Sequence, residues 1–170
     1  MDAYGDAKPN PGHHAIAAIQ RALGDRCTLA TQNVDGLHQK AGSPAKRTWE
    51  IHGAIRRQRC AVGCGRRPEP LPQGFGRPWP KEQLPGSAER NTLTCKGCGA
   101  WLRPHVLWFD EFYDEENFRW DSCLGAAAAC DVLLIAGTSG ATNLPQHIAA
   151  VAAQNGAALV AVNRDPSPFT

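Results

Sequence analysis

Gln32, Asn33, Asp35, His38 and His52 fall within one stretch, Thr31–Gly53, which reads TQNVDGLHQKAGSPAKRTWEIHG. Three of these polar side chains occupy four consecutive positions, just past the apolar run Cys27–Ala30. The stretch supplies amide, carboxylate and imidazole groups, with few bulky apolar residues among its first members. Such a set suits the floor of a hydrogen-bonding cleft better than a core. It is also good turn chemistry, because Asn and Asp bond their own backbone and Gly permits positive φ. In isolation, a plain strand-to-helix loop would explain it.

The second chemical cluster is a cysteine quartet. Cys60 and Cys64 have three residues between them, Cys95 and Cys98 have two, and thirty residues separate the pairs. Two close pairs at this separation form a zinc-ribbon pattern, each short knuckle presenting two thiolates to one tetrahedral ion. Gly97 and Gly99 supply the tight turns of the second knuckle. Four thiolates leave no open coordination position, so the expected zinc is structural and the chemistry lies elsewhere. The remaining cysteines, Cys27, Cys123 and Cys130, fall on expected core elements and read as small buried apolar residues. Arg56, Arg57, Arg59, Arg66 and Arg67 crowd the first knuckle. They form either a patch for nucleic acid or acidic partners, or the counter-charge of an anionic zinc site, and the modest total charge favours the second.

Alternating strands and helices must position these groups. Ile16, Ile19 and Leu23 recur at offsets of three and four and predict a helix over Gly12–Leu23. Arg26–Thr31 reads as a strand, Leu37–Ala41 as a short helix, and Asn117–Cys130 as an alanine-rich helix. Asp131–Ala136 and Ala157–Val162 are continuous apolar runs of strand length, which fits strands buried on both faces. Leu144–Asn155 is helical between them, with Pro145 in its first turn. This order predicts an α/β fold with a doubly wound parallel sheet. The three strands end at Gln32-Asn33, Thr138-Ser139 and Asn163-Arg164. Parallel pairing brings such ends to one sheet edge, where open α/β folds bind ligands. Residues 53–100, rich in Arg, Pro, Gly and Cys, form an insertion that needs the metal as a staple.

Composition sets the outer limits. At 170 residues the chain supports one domain, or one with a small appendage. A net charge of +2 argues against a dedicated nucleic-acid or membrane-surface binder. No apolar run reaches the ~20 residues that span a bilayer, and the first residues lack the pattern of a secretory signal. Seven cysteines, an odd number, fit free thiols and metal ligands in a reducing, cytoplasmic compartment.

TQNVDGLH, EIHG, the two knuckles, RPHVLWFDE at Arg103–Glu111, the GTS at Gly137–Ser139 and the VNRD at Val162–Asp165 occur in the order found in sirtuins. From about Pro9 to its end the chain resembles a bacterial sirtuin. The resemblance implies a Rossmann-like parallel sheet, incomplete here, carrying a small inserted zinc-ribbon module. Residues 1–52 and 101–170 would form the NAD-binding domain and 53–100 the zinc module. The implied reaction moves an acyl group from a protein lysine to ADP-ribose as nicotinamide leaves NAD. His52 matches the catalytic base for a ribose hydroxyl, a task suited to a group titrating near neutral pH. Asn33 and Asp35 match the ribose and nicotinamide site, and Gln32 a neighbouring NAD contact. Gly137, Thr138 and Ser139 match the adenosine side. Asn163, with Arg164 and Asp165, matches the adenine-ribose end. Cys60, Cys64, Cys95 and Cys98 match the zinc ligands. Val106, Trp108 and Phe109 match the segment that pairs with an acylated-lysine peptide by strand addition. His38 reads as supporting structure.

The chain departs from the family at both ends. Nothing in Met1–Pro11 matches the family's glycine-rich loop, and the sequence stops soon after Asn163. The expectation is a sirtuin truncated at both ends, with exposed apolar edges and weak NAD binding. The Tyr and Arg that mark removal of acidic acyl groups have no counterpart, since Tyr4 is followed three positions later by Ala7. Two rival readings remain: a catalytically inactive fragment or zinc-ribbon interaction module, and a zinc-ribbon nucleic-acid binder.

Overall fold

Asn10 starts the first helix. Its side chain accepts the His13 backbone N–H at 3.1 Å, and the His13 ring faces back toward the Asn10 N–H at 3.3 Å, a reciprocal cap. Pro11 follows at the position where a missing N–H costs nothing. The computed structural model describes residues 6–72 and 82–169. Tyr4, with the rest of residues 1–5, and part of the inserted segment lie outside the described residues. The chain divides into two units, Met1–Glu111 and Phe112–Thr170.

In the first unit, α1 (Pro11–Leu23) leads to β1 (Leu29–Thr31), α2 (Leu37–Lys40) and β2 (Thr48–Glu50). The strand expected over Arg26–Thr31 is shorter, because Gly24–Arg26 forms a 3-10 turn. β1 and β2 pair in parallel, with Leu29 opposite Thr48 and Thr31 opposite Glu50. The face of α1 that turns inward is not the expected one. Ala17 and Gln20 are buried, whereas Ile19 and Leu23 are about two-fifths exposed. The helix docks through small and polar side chains, and the buried Gln20 amide donates to the Arg47 carbonyl at 2.9 Å.

The insertion holds a strand that composition concealed, β3 (Gly53–Cys60). It lies between β4 (Glu69–Pro70) and β5 (Leu102–Val106), antiparallel to both, while α3 (Ser87–Thr92) leads toward the second knuckle. Alternation is hard to see in GAIRRQRC because Arg57 and Arg59 occupy half-buried positions. Arg56 binds Glu50, Arg59 binds Glu111 and Arg66 binds Glu69. Three of the five clustered arginines are therefore matched by protein carboxylates.

The second unit opens with α4 (Glu115–Phe118) and α5 (Trp120–Ala129). The single helix expected over Asn117–Cys130 is broken at Arg119, whose φ of 61° lies in the left-handed region. β6 (Val132–Ala136), α6 (Asn143–Gln154) and β7 (Ala158–Val162) follow, and β6 and β7 pair in parallel in full register. Burial on both faces is not observed. Ile135 is buried, but Val132 and Val162 are each 59% exposed, and Leu134 and Val160 are also open. Two strands and their connecting helix cover only part of this small sheet. Phe118, Cys123, Leu144 and Ala152 form the unit's core. No helix among the described residues is long and apolar enough to cross a membrane.

Gly53 sits where β3 and β5 converge, with φ 85°. A Cβ there would lie 2.1 Å from the His105 carbonyl oxygen. Since that neighbour is backbone, Gly53→Ala should force β5 away and destabilise the fold by roughly 2–4 kcal/mol. Thermal melts should record a fall in Tm of about 5 °C or more; an unchanged Tm would show that β5 yields freely.

Candidate functional site

The first unit gathers its polar groups by continuing the β1–β2 pairing past both strand ends. The Ile51 N–H donates to the Thr31 carbonyl at 3.0 Å, so Gln32 and His52 leave the sheet side by side. His52 hydrogen-bonds the Gln32 backbone. The loop then turns tightly. The Asn33 N–H donates to Thr31 Oγ1 at 3.1 Å, and Asp35 Oδ1 accepts the Leu37 N–H at 2.8 Å, closing an Asx turn just ahead of α2. The outer side of the loop is fixed by β3, whose Ile55 N–H reaches the Val34 carbonyl at 2.9 Å. Asn33 is exposed, while Gln32, Asp35 and His52 are half-buried.

Burial lowers the pKa of His52, and its bond to Gln32 opposes that shift only in part. The imidazole therefore stays neutral, and able to accept a proton, to lower pH than a free one. His38, buried on α2 with its ring centroid 4.6 Å from that of His13, is also shifted down, first by burial and then by His13. It lies within the packing of α1 and α2, which agrees with a supporting role.

Strand β5 comes to the same place. The Leu107 N–H donates to the His52 carbonyl at 3.0 Å, so the imidazole's own backbone holds the segment that contains Val106 and Trp108. Val106 is opposite Gly53 in the β3–β5 ladder. The rings of Trp108 and Phe109 are not core residues, since both are exposed. Sequence reasoning missed the pair formed by Glu50 and Arg56, a two-pronged contact at 2.6 and 2.8 Å. Arg56 lies where a Gly36 side chain would be, 2.9 Å from that Cβ position, so the pair packs over the DG turn. The six-residue separation of opposite charges across EIHG was the available signal.

The four cysteines come together. Cys60 ends β3, Cys64 follows a turn, and Cys95 and Cys98 form a second turn closed by the Gly99 N–H on the Cys95 carbonyl at 2.8 Å. Their sulfurs all lie within 4.8 Å of one another, with Cys60–Cys98 at 3.5 Å and Cys64–Cys95 at 3.6 Å. Zinc–sulfur bonds of about 2.3 Å in a tetrahedron put sulfurs about 3.8 Å apart, so the donor set fits one zinc ion. Backbone N–H groups of Cys64 and Val62 hold the Cys60 thiol down at about 6. Cys98 is pushed up to about 12: the Ala100 N–H favours its thiolate, but the adjoining Cys60 sulfur opposes it. Of the other cysteines, Cys123 is buried as expected, whereas Cys27 and Cys130 are only half-buried.

In the second unit the tips of β6 and β7 are tied together. The Gly137 N–H meets the Val162 carbonyl at 3.0 Å, and Asn163 Oδ1 accepts the Thr138 N–H at 3.0 Å. The Asn163 amide also donates to Ser167 Oγ at 3.0 Å. Gly137, Thr138 and Asn163 thus share one sheet end. Ser139 beside them is exposed, and Arg164 and Asp165 are solvent-facing neighbours.

A model of the Sir2 family matches residues 1–143. The NAD-dependent protein deacylase of Leptospira interrogans is 37% identical over 163 residues, which is 96% of this chain and 59% of that protein. The NAD-dependent protein deacylase of Thermus thermophilus is 38% identical over 168 residues, 97% of this chain and 58% of its own length. Among solved structures, a Sir2 homologue–NAD complex superposes with a TM-score of 0.78 at 31% identity, covering 100% of this chain and 59% of that one. An ADP-ribose complex of a mutant Sir2 homologue gives 0.79 at 30% identity, with coverages of 100% and 61%. The chain thus spans about three-fifths of the length of these relatives.

Two measurements check the site. In an NMR titration, the His52 ring should have a midpoint below the ordinary ~6.5. Because folding lowers the pKa values of His38 and His52, stability should fall as pH drops below ~6.5. A His52 midpoint above that value contradicts the burial argument. Metal analysis should find about one zinc per chain and almost none in Cys95→Ser, whose Tm should drop by roughly 10 °C.

Proposed function

The chain belongs to the Sir2 family, and we propose that its residues serve NAD-dependent removal of acyl groups from protein lysines. The observation that carries this reading is the shared backbone of His52, Gln32 and Leu107. It unites a neutral imidazole, an amide-and-carboxylate loop and a strand suited to peptide addition.

NAD, as co-substrate, supplies the ribose that takes the acyl group and the nicotinamide that leaves. His52 takes a proton from a ribose hydroxyl. Burial keeps its ring unprotonated, and the Gln32 backbone fixes its orientation. Asn33 and Asp35 line the nicotinamide-ribose side, where breaking a glycosidic bond builds positive charge that a carboxylate and oriented amides offset. Gln32 lies next to them. Gly137, Thr138, Ser139 and Asn163 take the adenosine side, with Arg164 and Asp165 at its rim. Val106, Trp108 and Phe109 grip an acyl-lysine peptide through backbone bonds, which give affinity with little sequence preference.

Zinc, held by Cys60, Cys64, Cys95 and Cys98, supplies a closed structural crosslink. Residues 53–100 are its module, and 1–52 with 101–170 are the NAD-binding part. Cysteines kept as metal ligands and thiols rather than disulfides suit a reducing compartment such as the cytoplasm.

Purified chain given NAD and an acetyl-lysine peptide should release nicotinamide. His52→Ala should lower that release by about a hundredfold or more, the usual contribution of a positioned base. Equal release by the parent and His52→Ala removes His52 from the chemistry. No release from the parent favours an interaction module instead.

A further inference from the structure

The Glu111 carboxylate lies at the centre of a cluster that the reaction does not call for. One oxygen, Oε1, accepts from Arg59 at 2.7 Å and also from Arg103. The other, Oε2, accepts the Trp108 backbone N–H at 2.9 Å. Arg103 reinforces the same segment twice. Its Nη1 donates to the Val106 carbonyl at 3.0 Å, and its guanidinium carbon sits 4.2 Å from the centre of the Trp108 ring. The side chains of Arg59 and Arg103 are only 14% and 11% exposed, so these bonds form in a partly desolvated setting where they are stronger than on an open surface.

The chemistry at each end of the cluster differs. Arg59 directly precedes Cys60, the first cysteine of the metal cluster, on β3. Trp108 lies in the segment beyond β5, and Val106 is the last residue of that strand. The β3–β5 ladder sets Arg59 opposite Arg103 but leaves Trp108 beyond its other, Gly53–Val106 end. Glu111 joins them with one side chain, and it does so after the chain has turned back, the Glu111 N–H meeting the Trp108 carbonyl at 3.0 Å.

We propose that Glu111 is a positioning residue. It pins the turn that follows β5, where the Trp108 N–H and carbonyl are already engaged, so that the exposed rings of Trp108 and Phe109 stand where a peptide would lie, and through Arg59 it makes that turn depend on the strand carrying the metal ligand. The peptide part of this inference rests on the deacylase reading, whereas the clamp itself does not. Neither Arg103 nor Glu111 needs to touch the substrate.

The test uses the full chain as parent, Glu111→Ala and Glu111→Gln. NMR amide exchange at Trp108 should accelerate about tenfold or more in Glu111→Ala as its acceptor is lost. Glu111→Gln, which keeps a neutral acceptor, should recover part of the protection. Zinc content should remain that of the parent in both, which separates loss of the clamp from loss of the module. Fluorescence anisotropy with a labelled acetyl-lysine peptide should show about tenfold weaker binding to Glu111→Ala. Unchanged Trp108 exchange overturns the clamp, and unchanged peptide affinity despite faster exchange overturns its role in peptide grip. If the parent binds no acyl peptide, the substrate reading fails, and the exchange result alone decides the clamp. Should Glu111→Ala not fold, exchange in Glu111→Gln intermediate between the parent and a free amide supports the clamp, and parent-like exchange with parent-like affinity rejects it.

Discussion

Three backbone hydrogen bonds organise the first unit: Ile51 to Thr31, Ile55 to Val34 and Leu107 to His52. They tie the short run that follows β2 to β1's exit loop and to the segment after β5. The regular pairing beneath them is modest, since β1 and β2 share only three residue pairs. A site built on such short strands depends on what continues the ladder beyond them. Gly53 makes that continuation possible, because any side chain there would occupy the space of the His105 carbonyl. The EIHG wording is thus a packing constraint as much as a chemical one: the histidine presents an imidazole, and the glycine lets two strands meet behind it.

The same economy governs the charges. Glu50 with Arg56, and Glu111 with Arg59 and Arg103, are ion pairs that tie β2 and the segment after β5 to β3 and β5 rather than decorations of an open surface. Each fixes a segment that has few fully buried apolar side chains to hold it. Pairs of this kind contribute little to total stability when solvated, and their value here is geometric. They limit the conformations of the Gln32–Gly36 loop and of Val106–Phe109, two segments that hydrophobic packing alone leaves free. The metal cluster plays the corresponding part for the insertion, whose described residues contain few buried apolar side chains.

How much of this was legible in the sequence varied with the kind of force involved. The cysteine quartet was fully readable, because ligand spacing is local and the sulfurs do converge. The parallel strands were readable from apolar runs, and the meeting of Thr138 with Asn163 at one sheet end followed from them. The inward face of α1 was not. Ile19 and Leu23 suggested one side, but Gln20 found a carbonyl partner and Ala17 allowed close approach, so the helix turned another. β3 was hidden because Arg57 and Arg59 look polar in the sequence but are half-buried in the fold, on a carbonyl and a carboxylate partner. Arg119 broke an alanine-rich helix through one left-handed residue, for which the sequence carries no glycine as a warning. In α1 and β3 a specific long-range partner outweighed the local pattern.

The bond from Leu107 to the His52 carbonyl has a mechanical implication. Any guest laid along Val106–Phe109 loads the same peptide unit from which the imidazole hangs. On the proposed deacylase reading, grip and chemistry are therefore not independent dials: altering the main chain at one alters the aim of the other. Variation in what the molecule accepts is easiest where side chains project away from that shared unit, as the open rings of Trp108 and Phe109 do, and hardest along the ribbon itself.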